Sequence, residues 1–433
     1  MNRISINRKR VTIDKDAVLL YIIMFMSGDT YLFGTNINEN VLTAARVSLI
    51  LVCVYIIYKM HFRIRLSGNK AKTMAYLTTA ILFISVGIAN GDTITRIGVK
   101  VLAMTIAFLL CMLFSFEKYA ETFNKTMYFI AYTAVAFTVI AYIAPDLVRR
   151  LPYITNTANT KIYTCGFAGL LEGVLGQTMV RTQGIFWEPG VFQMYLNLAV
   201  AIELLYKKQI NKKYITAYII ALFFSFSTTG YIVFAWIITA YVFIKRNAGR
   251  EDVINRLVII FLVFFAVVAV IQFTNIGDVV FGKMFDKGNV NFGSTTTRLA
   301  GIIVSTKIAF DNPVFGIGMV NMDSEFLRVA LASRDILGGW THDNTNTLFY
   351  QFAAHGIPFG VLFAVGTYKF GNCFANGRKI ITISVFLMLF LLYIGENLQY
   401  SIFPYIAVFY GYGWKESIAS SNRVYTQGRQ MSI

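Results

Sequence analysis

Of the 433 residues, 56% are hydrophobic and only 14% are charged, with a mean hydropathy of +0.59. A soluble chain usually carries about 25% charged residues, so too few polar groups are present to cover a water-facing surface, and a soluble globular domain is excluded. The formal charge of +17 does not point to nucleic acid, because the basic residues cluster between apolar runs.

Those runs approach the ~20 residues that a membrane-spanning helix needs. In chain order they predict helices near 17–34, 41–58, 73–90, 97–115, 126–144, 190–206, 214–229, 230–244, 257–273, 344–368, 380–395 and 400–413. Ser227-Thr228-Thr229-Gly230, between the seventh and eighth, is either a tight turn or a kink. The basic start around Arg8-Lys9-Arg10 leads into the first run with no small-residue cleavage site after it, which makes that run a retained anchor. With the amino terminus inside, segments 1–16, 59–72, 116–125, 207–213, 245–256, 369–379 and 414–433 face the cytoplasm and hold 26 of the 39 Lys and Arg residues. That agrees with the positive-inside rule. The fold class expected is all-α: one integral membrane domain over 1–433, a bundle of about 12 spans with both termini cytoplasmic. Cys53, Cys111, Cys165 and Cys373 fall on two spans, an outer loop and an inner loop, so no disulfide framework is expected.

Two outer loops, 145–189 and 274–343, are long where every other connection is short, and long loops in a tight bundle are usually functional. In the second, Leu299, Ile302, Ile303 and Ile308 recur at helical spacing with Arg298 and Lys307 off that face, the pattern of a short interfacial helix. Three stretches could carry chemistry. Arg181-Thr-Gln-Gly-Ile-Phe-Trp-Glu188-Pro-Gly places an arginine and a glutamate just before a helix start, where Pro189 suits the first turn and exposed amides attract anions. Their bland reading is an ion pair closing a loop. Arg298 could hold a phosphate bidentately or be an ordinary headgroup contact. His342, in Trp340-Thr-His-Asp-Asn344-Thr-Asn346, could orient or deprotonate a sugar hydroxyl, or be structural.

No Gly-Lys-Ser/Thr phosphate loop and no zinc-spaced Cys/His set occurs, and the only Asp-x-Asp, Asp14-Lys15-Asp16, is on the inner side. No metal and no cofactor is therefore expected, and arginine would have to neutralise any phosphate bound outside. Asp29, Arg46, Glu203 and Glu396 are charges within or beside spans, costly in lipid unless they face the bundle interior or an interface. They do not line up as the midplane acid relay of a proton-coupled transporter.

A Gly-Ile-Phe-x-Glu-Pro-Gly segment opens a span after one long outer loop. A second loop runs from an arginine helix through Asn312-Pro313-x-x-Gly316-x-Gly318 to the His/Asn cluster and then Gly356-Ile-Pro-Phe-Gly360. This order, covering roughly 180–370, resembles the O-antigen polymerase (Wzy) family and its relative the O-antigen ligase (WaaL), membrane glycosyltransferases of the GT-C type. The resemblance implies a glycan on undecaprenyl diphosphate as donor, attacked at its anomeric carbon by a sugar hydroxyl in the periplasm of the bacterial inner membrane, without metal. It implies that Arg181 and Arg298 bind the diphosphate, that His342 or Glu188 serves the acceptor hydroxyl, and that Asn344, Asn346 and Trp187 contact sugar. This sequence departs from the family in that Asp343 stands between His342 and Asn344. Polymerase is preferred because Phe186-Trp-Glu-Pro-Gly190 looks more like polymerases, with ligase and then flippase or transporter as alternatives; a chain-length regulator and a flippase are expected partners, and membrane lipids surround the chain.

Overall fold

The computed structural model describes residues 14–34, 39–59, 69–155, 160–172, 175, 180–245, 293–333, 344–375 and 378–416. The helices are α1 (Lys15–Phe25), α2 (Glu39–Lys59), α3 (Lys70–Ala89), α4 (Ile94–Leu113), α5 (Phe116–Ile143), α6 (Pro145–Val148), α7 (Pro189–Ala201), α8 (Lys212–Ser225) and α9 (Thr228–Ala240). They continue as α10 (Gly293–Asp311), α11 (Met322–Ala332), α12 (Leu348–Ala375), α13 (Lys379–Gly395) and α14 (Phe403–Tyr412). Side-chain caps fix several starts: Asp14, Thr93, Ser115, Asn211 and Ser227 each accept a first-turn amide. The architecture is all-α apart from a small sheet. Among the described residues, α3, α4, α5 and α12 are long and apolar enough to cross a membrane, and Val47–Lys59, Thr228–Phe243 and Lys379–Gly395 are shorter apolar helices. Their outward faces stay apolar, with Ile81 and Ile88 on α3 and Tyr132 and Ile143 on α5 exposed, a surface that suits lipid rather than water.

The centre is α7. Twelve of its residues are buried, as expected of a helix apolar nearly all round, and it packs on α5, α8, α9 and α13. Its last turn widens into a π-turn over Ile202–Tyr206. There the buried Glu203 takes hydrogen bonds from Asn124 Nδ2 (2.7 Å), Lys207 Nζ (2.5 Å) and the Asn211 amide (3.0 Å), so its charge is fully partnered at the helix end.

Three expectations change. The first run does not stay helical to 34: α1 stops at Phe25, and Met26–Gly34 turns back so that Thr30 bridges Phe186. Asp29 then lies buried, accepting from Ser27 Oγ (3.2 Å), Ser401 Oγ (2.6 Å) and the Tyr195 hydroxyl. The three donors account for this carboxylate better than an interfacial position would. Next, the first long loop is built on strands as well as the single-turn α6: β1 (Tyr153–Thr155), β2 (Lys161–Thr164) and β3 (Gly169–Leu171) form an antiparallel sheet in that order, with Tyr153 opposite Tyr163 and Ile162 opposite Leu171. Cys165 follows β2 and is exposed, whereas Cys53, Cys111 and Cys373 are buried. Finally, α10 packs on α12 through Ala300, Val304 and Ile308 against Ala353 and Ala354, so its i, i+4, i+8 face is packed against protein while Leu299 stays exposed. The turn-or-kink at 227–230 resolves as a turn: Phe226 adopts a left-handed φ of 46° and α9 begins anew after Ser227. The ninth expected span, 257–273, lies outside the described residues, as does the side chain of Arg46.

The Asn312-Pro-x-x-Gly-x-Gly stretch docks onto a break in α12. At Gly356, φ is 81° and ψ 167°, and Pro358 has no N–H to donate. The carbonyls of Ala353 and Ala354 therefore lose helical partners and accept instead from the amides of Ile317 (3.1 Å) and Gly318 (2.9 Å), while Ile357 N donates to Pro313 O (2.7 Å). From the α3–α4 turn, Asp92 accepts from the Met319 (3.1 Å) and Val320 (2.8 Å) amides, and Asn90 Nδ2 donates to Phe315 O (3.0 Å). Asp92→Ala leaves the buried Met319 amide and the partly buried Val320 amide without their partner and is expected to cost about 1–3 kcal/mol. Thermal unfolding in detergent checks this; an unchanged midpoint would show that the clasp is not structural.

Candidate functional site

The site is built on the amino terminus of α7. Glu188 occupies the N-cap position in extended conformation (φ −150°, ψ 160°), and its carboxyl caps no amide, leaving it free for other work. Segment 184–187 is held from below: Tyr31 N donates to Ile185 O (3.0 Å) and Trp187 N to Asp29 O (3.0 Å). Trp187 itself is half-buried.

Arg181 enters from the same segment. Its Nε donates to Ser225 O at 3.1 Å, and Thr182 N donates to Phe224 O at 2.9 Å. Those carbonyls are available because the left-handed Phe226 ends α8 there. Arg298 enters from α10, where a Cβ added to Gly395 would stand 3.8 Å from its Nε. Glu188, Arg181 and Arg298 are all half-buried, so each keeps part of its surface open.

A fourth charge completes the group. Glu396, just past the end of α13, is 2% exposed. Its carboxyl lies against the first turn of α7, so close that a Cβ on Gly190 would meet its two oxygens at 2.5 and 2.8 Å. Only a glycine admits the carboxyl there, beside amides with no intrahelical partner and the positive end of the helix dipole. Thr347 locks the Glu396 backbone: its Oγ1 donates to Glu396 O (2.5 Å) and accepts from Leu398 N (2.8 Å). The carboxyls of Glu188 and Glu396 face each other over Gly190, with the guanidinium groups of Arg181 and Arg298 near both. Burial raises Glu188 above the usual carboxylate range against the pull of Arg181 and Arg298. Glu396 rises well above it, by burial first and then by the Glu188 charge. Burial also lowers Arg181, which both carboxylates counteract.

Three residues singled out in the sequence, Arg181, Glu188 and Arg298, thus converge. Asn344 and Asn346 stand close by, across Gly301 of α10, and the buried Nδ2 of Asn346 makes no hydrogen bond. Asn344 Nδ2 donates to Ser305 Oγ (3.3 Å) and its Oδ1 accepts from Asn346 N (3.0 Å); Asn346 Oδ1 accepts from Phe349 N (2.8 Å) and so caps α12. Asn346 is fully buried. His342 lies outside the described residues. Among the described residues no three His, Cys, Asp or Glu side chains gather as metal ligands.

Sequence reading missed the role of Glu396, and also two buried polar groups near the same end of the bundle. Lys100 Nζ, on α4, makes no hydrogen bond and lies 5.2 Å from the Tyr400 ring centroid. His355, beside the α12 break, packs edge-on against Phe83 (5.0 Å) and Phe359 (4.9 Å) with neither ring nitrogen bonded. Each sits alone in an apolar run, so only its cost in lipid could have drawn attention to it. Comparison with protein-family models and with curated proteins returns no match to this chain.

Proposed function

We propose that the protein is a metal-independent glycosyltransferase that polymerises undecaprenyl-diphosphate-linked oligosaccharide repeats, as in O-antigen or a related surface polysaccharide, on the periplasmic face of the inner membrane. One observation supports this above the others: Arg181, Glu188 and Arg298, taken from two long loops, meet at one helix amino terminus. Guanidinium groups there suit a diphosphate, which they grip bidentately and whose charge they balance as it leaves. Glu188, uncommitted as a cap, accepts the proton of the acceptor hydroxyl as its oxygen bonds to the anomeric carbon. His342 is the alternative base. The bond from that carbon to the phosphate oxygen breaks, and its electron pair stays with undecaprenyl diphosphate. Trp187 and Asn344, both half-buried, would contact the sugars, and the fully buried Asn346 would act only by holding Asn344.

Deleting the gene distinguishes the readings. A polymerase leaves single repeats on the lipid carrier or on lipopolysaccharide core. A ligase leaves no attached glycan at all, and a flippase strands repeats in the cytoplasmic leaflet. Unchanged long chains refute all three. Purified protein given lipid-linked repeats should lengthen them and release undecaprenyl diphosphate.

A further inference from the structure

We propose that Glu396 is a positioning partner of Glu188: the two carboxyls hold one proton between them over Gly190, with that proton on Glu396, so that Glu188 is kept ionised and aimed as the base. The inference deepens the glycosyl-transfer reading and rests on it for its chemical consequence, but the shared proton itself does not.

Glu396 is buried, and its Oε1 makes no hydrogen bond. A Cβ on Gly190 would collide with both of its oxygens, which fixes the carboxyl against the α7 terminus. Glu188 is two residues from Gly190 and only half-buried. Two desolvated carboxylates in contact cannot both ionise, and the more deeply buried one is the better holder of the proton. Among the described residues, the charged groups facing the pair are Arg181 from the segment of Glu188 and Arg298 from α10, while Tyr231 of α9 faces Arg181. Gln193 of α7 also reaches Glu396. With one proton on the pair, two arginines face a single negative charge, and the excess positive charge is left for the diphosphate. With no proton, the site would be neutral and would bind it poorly.

During transfer Glu396 keeps its proton and donates a hydrogen bond to one Glu188 oxygen. The other Glu188 oxygen takes the proton from the acceptor hydroxyl. Glu396→Gln preserves the donor, because the amide N–H replaces the carboxyl O–H. Glu396→Leu removes it, and Glu188 then becomes easier to protonate.

The test uses the full-length protein in lipid nanodiscs. Infrared difference spectra at neutral pH read the carbonyl stretch of a protonated carboxyl. The wild-type band should vanish in Glu396→Gln. In Glu188→Gln it should persist but shift, because burial still holds the proton on Glu396 while its hydrogen-bond acceptor changes from a carboxylate to an amide. Turnover of lipid-linked repeats should stay within about 5-fold of wild type in Glu396→Gln. It should fall about 10²-fold in Glu396→Leu and about 10²–10⁴-fold in Glu188→Gln, the usual worth of a general base. In Glu396→Leu the loss should sit in kcat rather than KM, and the acidic limb of the pH profile should move to higher pH. A band that survives Glu396→Gln, a band left unmoved by Glu188→Gln, or equal losses in Glu396→Gln and Glu396→Leu, overturns the proposal. If the spectra behave as expected while the wild type lengthens no glycan, the shared proton stands and the polymerase reading falls.

Discussion

Arg298→Ala is expected to lower polymerisation by about 10²–10³-fold, the range seen when one preorganised donor to a developing anion is removed. The guanidinium stands beside Gly395 and acts on both Glu188 and Glu396, so its loss weakens the hold on the leaving diphosphate. It also removes a cation that favours ionised Glu188. Helix α10 is not at risk, because its packing on α12 runs through Ala300, Val304 and Ile308, and the variant should fold and insert normally. Arg298→Lys should recover little, since an ammonium restores the charge but not the two-pronged geometry. The measurement is chain length of the glycan in cells carrying each variant at equal protein level. Wild-type chain lengths in the alanine variant would remove Arg298 from the site and leave Arg181 as the only cation there among the described residues.

Gly356→Ala is expected to destabilise the protein by about 3 kcal/mol or more, which adds backbone strain to a collision. At φ 81° and ψ 167° the backbone lies in a region essentially confined to glycine. An added Cβ would also meet Val314 O below contact distance and Gly316 N at 3.0 Å. No flexible side chain is available to yield there, because both neighbours are backbone. Relief would require separating the docked stretch from α12, and with it the hydrogen bonds of Ile317, Gly318 and Ile357. Gly98→Ala is the control, since an added Cβ there meets nothing within 4 Å. A thermal midpoint for Gly356→Ala equal to that of the control would refute the docking account.

Much of this was legible in the chain itself. Apolar runs of about 20 residues located most helices, and the Arg181-to-Gly190 segment announced itself because an Arg, a Glu, a Pro and a Gly at a helix start have few dull uses. Arg298 was visible as a charge on an apolar-patterned helix. Glu396 was not, because its partner lies about two hundred residues earlier and nothing local distinguishes it from a carboxylate reaching toward an interface. The Asn-Pro-x-x-Gly-x-Gly stretch looked like a neighbour of the chemistry. Its positive-φ glycines, Gly316 and Gly318, instead serve backbone exchange with a broken helix, a purpose set by Pro358 some forty residues on. The strands of the first long loop are three or four residues each, too short for a period of two to stand out. The early end of α1 was hidden because Tyr31, Leu32 and Phe33 continue an apolar run although they pack in a turn.

The sheet turn after β2 carries one last consequence. Because Cys165 is exposed while Cys53, Cys111 and Cys373 are buried, the unmodified protein displays a native thiol on its first long loop. A membrane-impermeant maleimide applied to sealed membranes of known orientation can therefore report which compartment that loop inhabits, with no engineered cysteine.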